Sequence, residues 1–544
     1  MKDTENNLYR LLKKPSLYGL NIKHVKVLQT HISFVVLTGE YAYKVKKPVD
    51  FGFLDYSTLE KRRHYCDEEI RLNRRLCPDI YLGVVSFTKK NDDEIEIDGD
   101  GPVVEYAVKM KEFPQNRIMT HLLRDGKIDE DIIDNICSIL VDFYKSEKTY
   151  SSTGIEKYGG MESVKHNVDE NFEQTKEMIG VTIPQETYRF IRKATGRFFE
   201  QKKNVFKKRV QQGMIRDCHG DLHSGNIVVL PHKICIFDCI EFNERFRYID
   251  VASDIGFLAM DLDFLNHPFL SSYLIKQYVE KSNDHNIFDV LNFYKCYRAY
   301  VRGKVLGFQL HDPHVDKNKE KNIISTARKY FDLSHYYASL FSMELNRKKP
   351  VLFTICGLTG TGKSTIASKI AIDHHAQLIS TDVVRKELQG INRFEKHYNG
   401  YEKGLYTPEK IDLTYKVVLE KANSFLKKRE NVVLDATFQK KIYRDRAHNI
   451  AKKNHAVFLI IQCICSEDEV KKRLDERLKK RSISDGRWEI YLQQKKTFQA
   501  IKQDEKQHVV VIDTGNTSYE YRMNMFRKIL KKIEELEKQE KQNR

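Results

Sequence analysis

GLTGTGKS, residues 357–364, constrains this chain more than any other stretch. It fills the pattern GxxxxGK[ST] completely, and its flanks suit the pattern: VLFTIC before it reads as a strand and TIASKIAIDH after it as a helix. Gly357, Gly360 and Gly362 let the backbone turn so that successive N–H groups face phosphate oxygens, and the start of the next helix adds positive potential. Lys363 is placed for β- and γ-phosphates and the Ser364 hydroxyl for Mg²⁺; Thr361 and Thr365 belong to the same phosphate-facing loop. Around this loop VLFTIC, QLIS, VVLD, VFLIIQC and VVVID alternate with helical stretches. That alternation predicts a doubly wound α/β domain over 351–544, with helices on both faces of a parallel sheet. The last stretch, RKILKKIEELEKQEKQNR, has too thin an apolar seam for a coiled coil and reads as an exposed terminal helix.

A chain of 544 residues is too long for one ordinary core. NRKKP, residues 346–350, is short, basic and ends in proline, so it is expected to link the α/β domain to a first domain over 1–345. There the pattern is mixed. FVVL and YAYKV flank Thr38-Gly39-Glu40 as a hairpin, and STLEKRRHYCDEEIRLNRRL reads as a helix with Ser57 as its cap. YLGVVSF and PVVEYAVKM read as strands around an acidic turn, and most of 114–345 is helical. The fold class expected is therefore a two-lobed α+β domain (lobes about 20–113 and 114–345) followed by the doubly wound α/β domain.

Residues 219–226, HGDLHSGN, carry the second constellation. Asp221 and Asn226 stand five apart, and a strand–turn–strand, IVVL–PHK–ICIFD, delivers Asp238 twelve residues later. In kinase-like folds this spacing serves a catalytic aspartate and two metal-holding residues. Asp221 would accept or orient the proton of an acceptor hydroxyl, and Asn226 and Asp238 would hold Mg²⁺. Glu241 is a further metal or substrate contact to be tested. A zinc site is the competing reading of His219 and His223, but no third ligand or HExxH helix accompanies them, and His219 is better read as a brace for the loop. A cation for the nucleotide phosphates comes from Lys44, paired with Glu69, against the competitors Lys46, Lys47 and Glu68. Glu105–Val108 would form an adenine hinge, Thr30 and Ser33 would touch phosphates, and Asp250 and Asp254 read as structural carboxylates.

In the α/β domain Asp382 follows the second strand, where it can take a proton from an acceptor hydroxyl. Arg385 can hold an anionic acceptor group; helix capping by Thr381 or Asp382 is the bland alternative. Asp435 ends the third strand, at the phosphate side, and can orient metal-bound water or acceptor. Arg473, Arg477 and Arg481 lie four apart. They form either a solvated basic face or a lid, about 470–490, that closes over the transferring phosphate.

Residues 351–515 resemble the small P-loop kinases related to polynucleotide kinase, chloramphenicol phosphotransferase and the zeta-toxin sugar-nucleotide kinases. That resemblance implies Asp382 as the base and Arg477 or Arg481 as the lid arginine; it carries a reaction type and no acceptor. Residues 20–340 resemble the aminoglycoside phosphotransferase group of kinase-like folds, with HGDxxxxN in place of HRDxxxxN and without a glycine-rich loop in VKVLQTHIS. More narrowly, YKVKKPVDFGFLDYSTLEKR, HGDLHSGNI and FDCIEFNERFRYIDVASDIGFLAMDLD are similar to a prokaryotic two-domain family in which such a domain is fused to a P-loop kinase-like domain. The resemblance implies ATP and Mg²⁺ at both sites and a bifunctional phosphotransferase acting on hydroxyl groups of small molecules. Two alternatives stand beside it: one domain gates the other by binding nucleotide, or the second domain is a polynucleotide 5′-kinase.

The net charge of +17 suits anionic partners without choosing among them. Nucleic acid is not favoured, because no aromatic-basic stacking pattern is present. No apolar run approaches the roughly 20 residues that span a bilayer, and MKDTENNLYRLLKK has no signal-peptide core. No membrane partner and a cytoplasmic location are therefore expected, and the ten scattered cysteines fit reduced thiols.

Overall fold

The computed structural model describes residues 2–91, 93–146, 154–312, 315–392, 395, 404–478 and 485–542. The chain forms two compact units. One holds Met1–Glu170, Lys202–Leu265 and Gln277–Ile287; the other holds Asn171–Gln201, Asn266–Lys276 and Phe288–Arg544. The division does not fall at 346–350, where the composition of the sequence places it.

In the first unit β1 (Lys26–Gln29), β2 (Ser33–Leu37), β3 (Tyr41–Lys46), β4 (Tyr81–Asn91), β5 (Glu94–Ile97) and β6 (Val103–Lys111) form an antiparallel sheet in the order β1-β2-β3-β6-β4-β5. The expected β2–β3 hairpin is present, while β5 is a strand inside the stretch read as an acidic turn. The helix Leu59–Asn73 is capped by Thr58, whose hydroxyl oxygen accepts from the Lys61 N–H. Ser57, the expected cap, instead donates to Asp55 at 2.6 Å. One sheet face buries Phe34, Val36, Tyr43, Val45 and Phe87. The other packs Tyr81 and Val108 against Cys66 and Ile70 of the helix and against Val228 and Cys235. Because side chains alternate along a strand, Lys44 and Lys46 share the helix-facing side of β3.

Val228 and Cys235 belong to a hairpin of β8 (Ile227–Val229) and β9 (Ile234–Ile236); flanking it, β7 (Ile215–Asp217) pairs with β10 (Tyr248–Asp250). Of the expected hinge at Glu105–Val108, Ala107 and Val108 are not available, while Glu105 and Tyr106 pair with β4 alone. Val108 lies in the middle of the sheet, paired with Lys44 on one side and Val84 on the other, and the Glu105 carboxylate is buried against Arg62 at 2.9 Å. A backbone already paired on both edges has no hydrogen bonds left for adenine.

In the second unit β11 (Val351–Cys356), β12 (Ala376–Ser380), β13 (Asn431–Asp435), β14 (Val457–Ile464) and β15 (Val509–Asp513) form a parallel sheet in the order β12-β13-β11-β14-β15. Every residue of β11 is buried, as a central parallel strand covered on both faces requires. The helices Leu291–Phe308 and Lys317–Asn346 belong to this unit because they clamp the end of the helix Lys363–Asp373. Asn292 Nδ2 donates to the Asp373 carbonyl at 2.9 Å, and the Tyr336 hydroxyl donates to the Asp373 carboxylate at 2.6 Å. The terminal helix Tyr519–Gln542 is not an exposed appendage: Met525, Phe526, Ile529, Leu530, Ile533 and Leu536 are all buried. Its spacing of three and four residues concentrates these on one stripe. Among the described residues no helix is long and apolar enough to cross a membrane.

Ile533 is fully buried. Ile533→Ala is therefore expected to lower the stability of the second unit by about 2–5 kcal/mol, read as a fall in its urea midpoint.

Candidate active sites

The first site is organised by Glu69. Its two oxygens take two lysines, Lys44 Nζ at 2.9 Å and Lys46 Nζ at 2.7 Å, and its side chain is wholly buried. Both candidate lysines thus reach the carboxylate chosen from the sequence, whereas Glu68 pairs with Arg71 on the exposed face at 2.6 Å. Burial alone would raise the Glu69 carboxyl; Lys44 and Lys46 outweigh it and bring it down to about 2. Lys44 also lies 2.6 Å from the Asp238 carboxylate. Burial opposes its charge, yet Asp238, Glu69 and Glu241 together hold it well above the usual lysine range. Glu241 does not face a ligand: it is buried, ion-paired with Lys46, and accepts from the Tyr56 hydroxyl at 2.5 Å.

The HGDLHSGN loop is held by backbone bonds. His219 donates from Nε2 to the Phe237 carbonyl at 2.9 Å and accepts the Asp221 N–H at Nδ1, so both ring nitrogens brace the loop. The Asp254 carboxylate accepts the N–H groups of His219 and Gly220, each at 3.0 Å, and the Tyr144 hydroxyl. Asp250 receives Arg209 through two bonds of 2.8 and 2.6 Å, so both aspartates are structural, as their sequence position implies. Asn226 Nδ2 donates to the Asp221 carbonyl at 3.0 Å and to its carboxylate at 3.2 Å. The β8–β9 hairpin closes with the Phe237 N–H on the Asn226 carbonyl at 2.9 Å, which sets Asn226 beside the segment carrying Asp238. Asp238 adopts φ 65°, with its N–H on the Tyr81 hydroxyl. Thr30 accepts the Ile32 and Ser33 N–H groups within its own turn.

Burial pushes the His219 imidazole below its usual value, against Asp254 and Asp221. It therefore takes its proton at a lower pH in the fold than in the unfolded chain, where an imidazole titrates near about 6.5. Its contribution to stability is therefore complete above that pH and is lost as the pH falls below it. His219→Gln is expected to flatten the loss of stability between pH 7 and pH 5, measured as urea midpoints of the first unit.

The second site lies at the carboxyl ends of β11, β12 and β13. Gly357, Gly360 and Gly362 have φ of 142°, 80° and 78°. At Gly357 a Cβ would also lie 2.5 Å from the Cys463 carbonyl, so this turn needs glycine for packing as well as for conformation. Lys363 and the Thr361 hydroxyl both donate to the Leu358 carbonyl, at 2.7 and 2.8 Å. Burial lowers the Lys363 amine, with Asp435 working against it. Burial raises the Asp435 carboxyl, with Lys363 and a hydrogen bond from Ser364 working against it.

Arg385 pairs with Asp382 at 2.7 Å, and its guanidinium lies 4.6 Å over the Tyr406 ring. Its Nε is buried without a hydrogen-bond partner among the described residues. Arg477 is near Asp382 and Asp435; burial lowers it and these two carboxylates oppose the shift. Arg473 binds Glu469 at 2.9 Å and Thr514 at 3.0 Å, which sets its guanidinium beside Gly362 of the phosphate loop. Arg481 lies outside the described residues. Neither Thr381 nor Asp382 caps the helix Thr381–Glu387, whose N-cap position is Ser380; the Thr381 hydroxyl donates to the Asp435 carbonyl at 3.2 Å.

A cavity of about 180 Å³ brings together Lys363, Ser364, Asp382, Arg385, Asp435 and Arg477, with Thr365 beside them. Its other wall is Tyr406, Tyr415 and Tyr443, the last two stacked at 3.9 Å. No motif marks these tyrosines in the sequence, because they come from three separate segments. The oxygen donors of the two sites (Asn226 and Asp238, Ser364 and Asp435) are hard ligands that fit Mg²⁺, an ion that takes only one or two carboxylates and completes its shell with water and phosphate.

Residues 352–501 match the family model described as an AAA domain. Uncharacterized proteins of Mycobacterium tuberculosis and Mycobacterium bovis are each 28% identical to this chain over 455 residues, which cover 83% of this chain and 86% of theirs. Among solved structures, a gluconokinase from Sinorhizobium meliloti aligns with 36% of this chain and 100% of its own, at 19% identity and a TM-score of 0.27. A choline/ethanolamine kinase family protein from Mesorhizobium loti aligns with 62% of this chain and 99% of its own, at 11% identity and a TM-score of 0.37. The chain thus pairs a first unit that carries the HGDLHSGN loop with a P-loop α/β sheet that carries the matched AAA-domain segment.

Proposed function

We propose that the chain is an ATP- and Mg²⁺-dependent phosphotransferase with two transfer sites, each passing a γ-phosphate to a hydroxyl group of a small molecule. The observation that carries this reading is that one cavity of about 180 Å³ is lined by Lys363 of the phosphate loop, Asp382, the buried Arg385, and Arg477, which lies near two carboxylates. In this second site Lys363 binds phosphate, Asp382 takes the acceptor proton, Arg385 holds an anionic group of the acceptor, and Arg477 offsets charge on the transferring phosphate. In the first site Lys44, held by Glu69, binds phosphate, Asp221 orients the acceptor hydroxyl, and Asn226 and Asp238 hold the metal. Mg²⁺, when bound, neutralises charge across the phosphates; positioning and electrostatics then supply most of the catalysis.

Separate Asp221→Ala and Lys363→Ala chains, assayed for ATP consumption against a panel of small alcohols, sugars and 5′-hydroxyl oligonucleotides, test this reading. Each substitution is expected to cut its own acceptor's phosphorylation by roughly a hundredfold or more, leaving the other's intact. Loss of both activities with Lys363→Ala would make the second unit a regulator of the first. Full activity with Asp221→Ala would remove the first unit as a transferase. Strongly salt-dependent phosphorylation of oligonucleotides would assign the second site to nucleic acid.

Arg385→Gln is expected to raise the second site's KM for an anionic acceptor about tenfold or more while changing the KM for ATP far less, since a bound oxyanion loses a charge-assisted partner. Steady-state kinetics with each substrate varied in turn measures the split.

A further inference from the structure

The segment from Asp238 to Glu241 presents two carboxylates to β3, and β3 answers with two lysines on one face. They form an outer and an inner pair. In the outer pair Lys44 and Asp238 have side chains 13% and 44% exposed, whereas in the inner pair Lys46 and Glu241 are 0% and 5% exposed. The outer pair is open to a ligand. The inner pair is sealed, with the Tyr56 hydroxyl on Glu241 and the second Glu69 oxygen on Lys46.

On the proposed reading, in which Asp238 holds the metal and Lys44 the phosphates, these two side chains must exchange one another for nucleotide and ion. Something else must then keep the Asp238 segment against β3. Asp238 has φ 65°, a conformation that a residue with a Cβ keeps only when its surroundings hold it. The other ties run to the helix, to β4 and to the loop before the β8–β9 hairpin: the Cys239 N–H on Asn73 Oδ1 at 2.9 Å, the Asp238 N–H on Tyr81, the Ile240 N–H on the His219 carbonyl at 3.1 Å, Arg247 on the Ile240 carbonyl at 3.1 Å, and Cys239 Sγ between Arg75 and the Cys218 carbonyl. Unlike these, the inner ion pair joins two opposite charges and runs to β3, to the same lysine that steadies Glu69.

We propose that Lys46 and Glu241 are positioning residues: their buried pair holds the segment carrying Asp238, together with Glu69, in the metal-receiving arrangement before nucleotide arrives. The pair touches neither nucleotide nor acceptor. It acts by leaving Asp238 and Lys44 free to change partners without losing their places.

The test uses the full chain with Lys363→Ala, so that nucleotide binding at the second site is weakened, and a fluorescent methylanthraniloyl-ATP as probe. Glu241→Gln preserves size and hydrogen bonding. It is expected to raise the Mg²⁺ concentration for half-maximal probe binding about tenfold or more, the range found when supports of metal ligands are removed, with little change in binding without metal. In the metal-free protein, amide exchange at 238–241 should quicken by a similar factor.

A second variant, Tyr56→Phe with Glu241→Leu, separates positioning from stabilisation, because Lys46 keeps Glu69 as its partner and the hydroxyl that donates to Glu241 leaves with it. The expected result is a cooperative melt close to the parent's with the same loss of metal dependence. Parental metal dependence and parental exchange in this variant and in Glu241→Gln, with only the melt altered, would overturn the proposal. Asp238→Asn is the control for the underlying reading: if it leaves metal dependence intact, Asp238 is not a ligand and the proposal falls with it. If it abolishes metal dependence while Glu241→Gln does not, the positioning role alone is refuted.

Discussion

A carboxylate with no water around it is the constraint on which the first unit depends. Glu69 is ionised in a wholly buried position, which is tolerable only because each of its oxygens meets a lysine. Removing one partner of such a cluster leaves an uncompensated charge in a poor solvent. The lysines come from one strand, the carboxylate from the helix, and the next carboxylates from the segment after the β8–β9 hairpin. Three elements distant in sequence are thereby held at fixed separations by charge, while Tyr81, Val108, Val228 and Cys235 exclude water around them. The HGDLHSGN loop is set against this frame by hydrogen bonds to its backbone, chiefly those of the His219 ring and the Asp254 carboxylate. Charge fixes the wall that carries Lys44, and hydrogen bonds to the backbone fix the HGDLHSGN loop.

The second unit solves a similar problem with a different scaffold. A parallel sheet whose central strand is buried on both faces gathers the carboxyl ends of its strands along one edge. Asp435 and the start of the helix after β12 are brought to the phosphate loop by that edge alone. The helix that follows the loop is held at its far end as well: Asp373 receives Lys369, Tyr336 and Asn292. This is also why the helices 291–346 pack as part of the α/β unit, although the break in sequence pattern comes after them.

Several residues were legible because their chemistry is local. GLTGTGKS turns on itself, so its glycines and lysine are readable within eight positions. Asp221 and Asn226 are five apart with a hydrogen bond between them. The Lys44–Glu69 pair was accessible through the strand-then-helix order. Other expectations failed where a partner came from elsewhere. Glu241 looked like a further ligand because it follows Asp238 closely, but Lys46 and Tyr56 claim it. Two of the four residues expected as the adenine hinge, Ala107 and Val108, are paired by the sheet on both edges. Arg473 shares a helical spacing with Arg477 yet is taken by Thr514. The terminal helix looked exposed because its charges are conspicuous, while its apolar stripe has a sheet to cover.

From sequence alone came the two motif sets, the order of strands and helices, and the acids and bases available to each site. These follow from short-range rules: phosphate loops need glycine, strands alternate, and helices repeat every few residues. Tertiary structure alone decided which of two lysines meets Glu69 (both do), that Glu241 is a buried partner and not a ligand, and that Tyr406, Tyr415 and Tyr443 wall the second cavity. Such decisions depend on desolvation and on which charges are left to neutralise one another once segments far apart in the chain are packed together, and no local pattern encodes that.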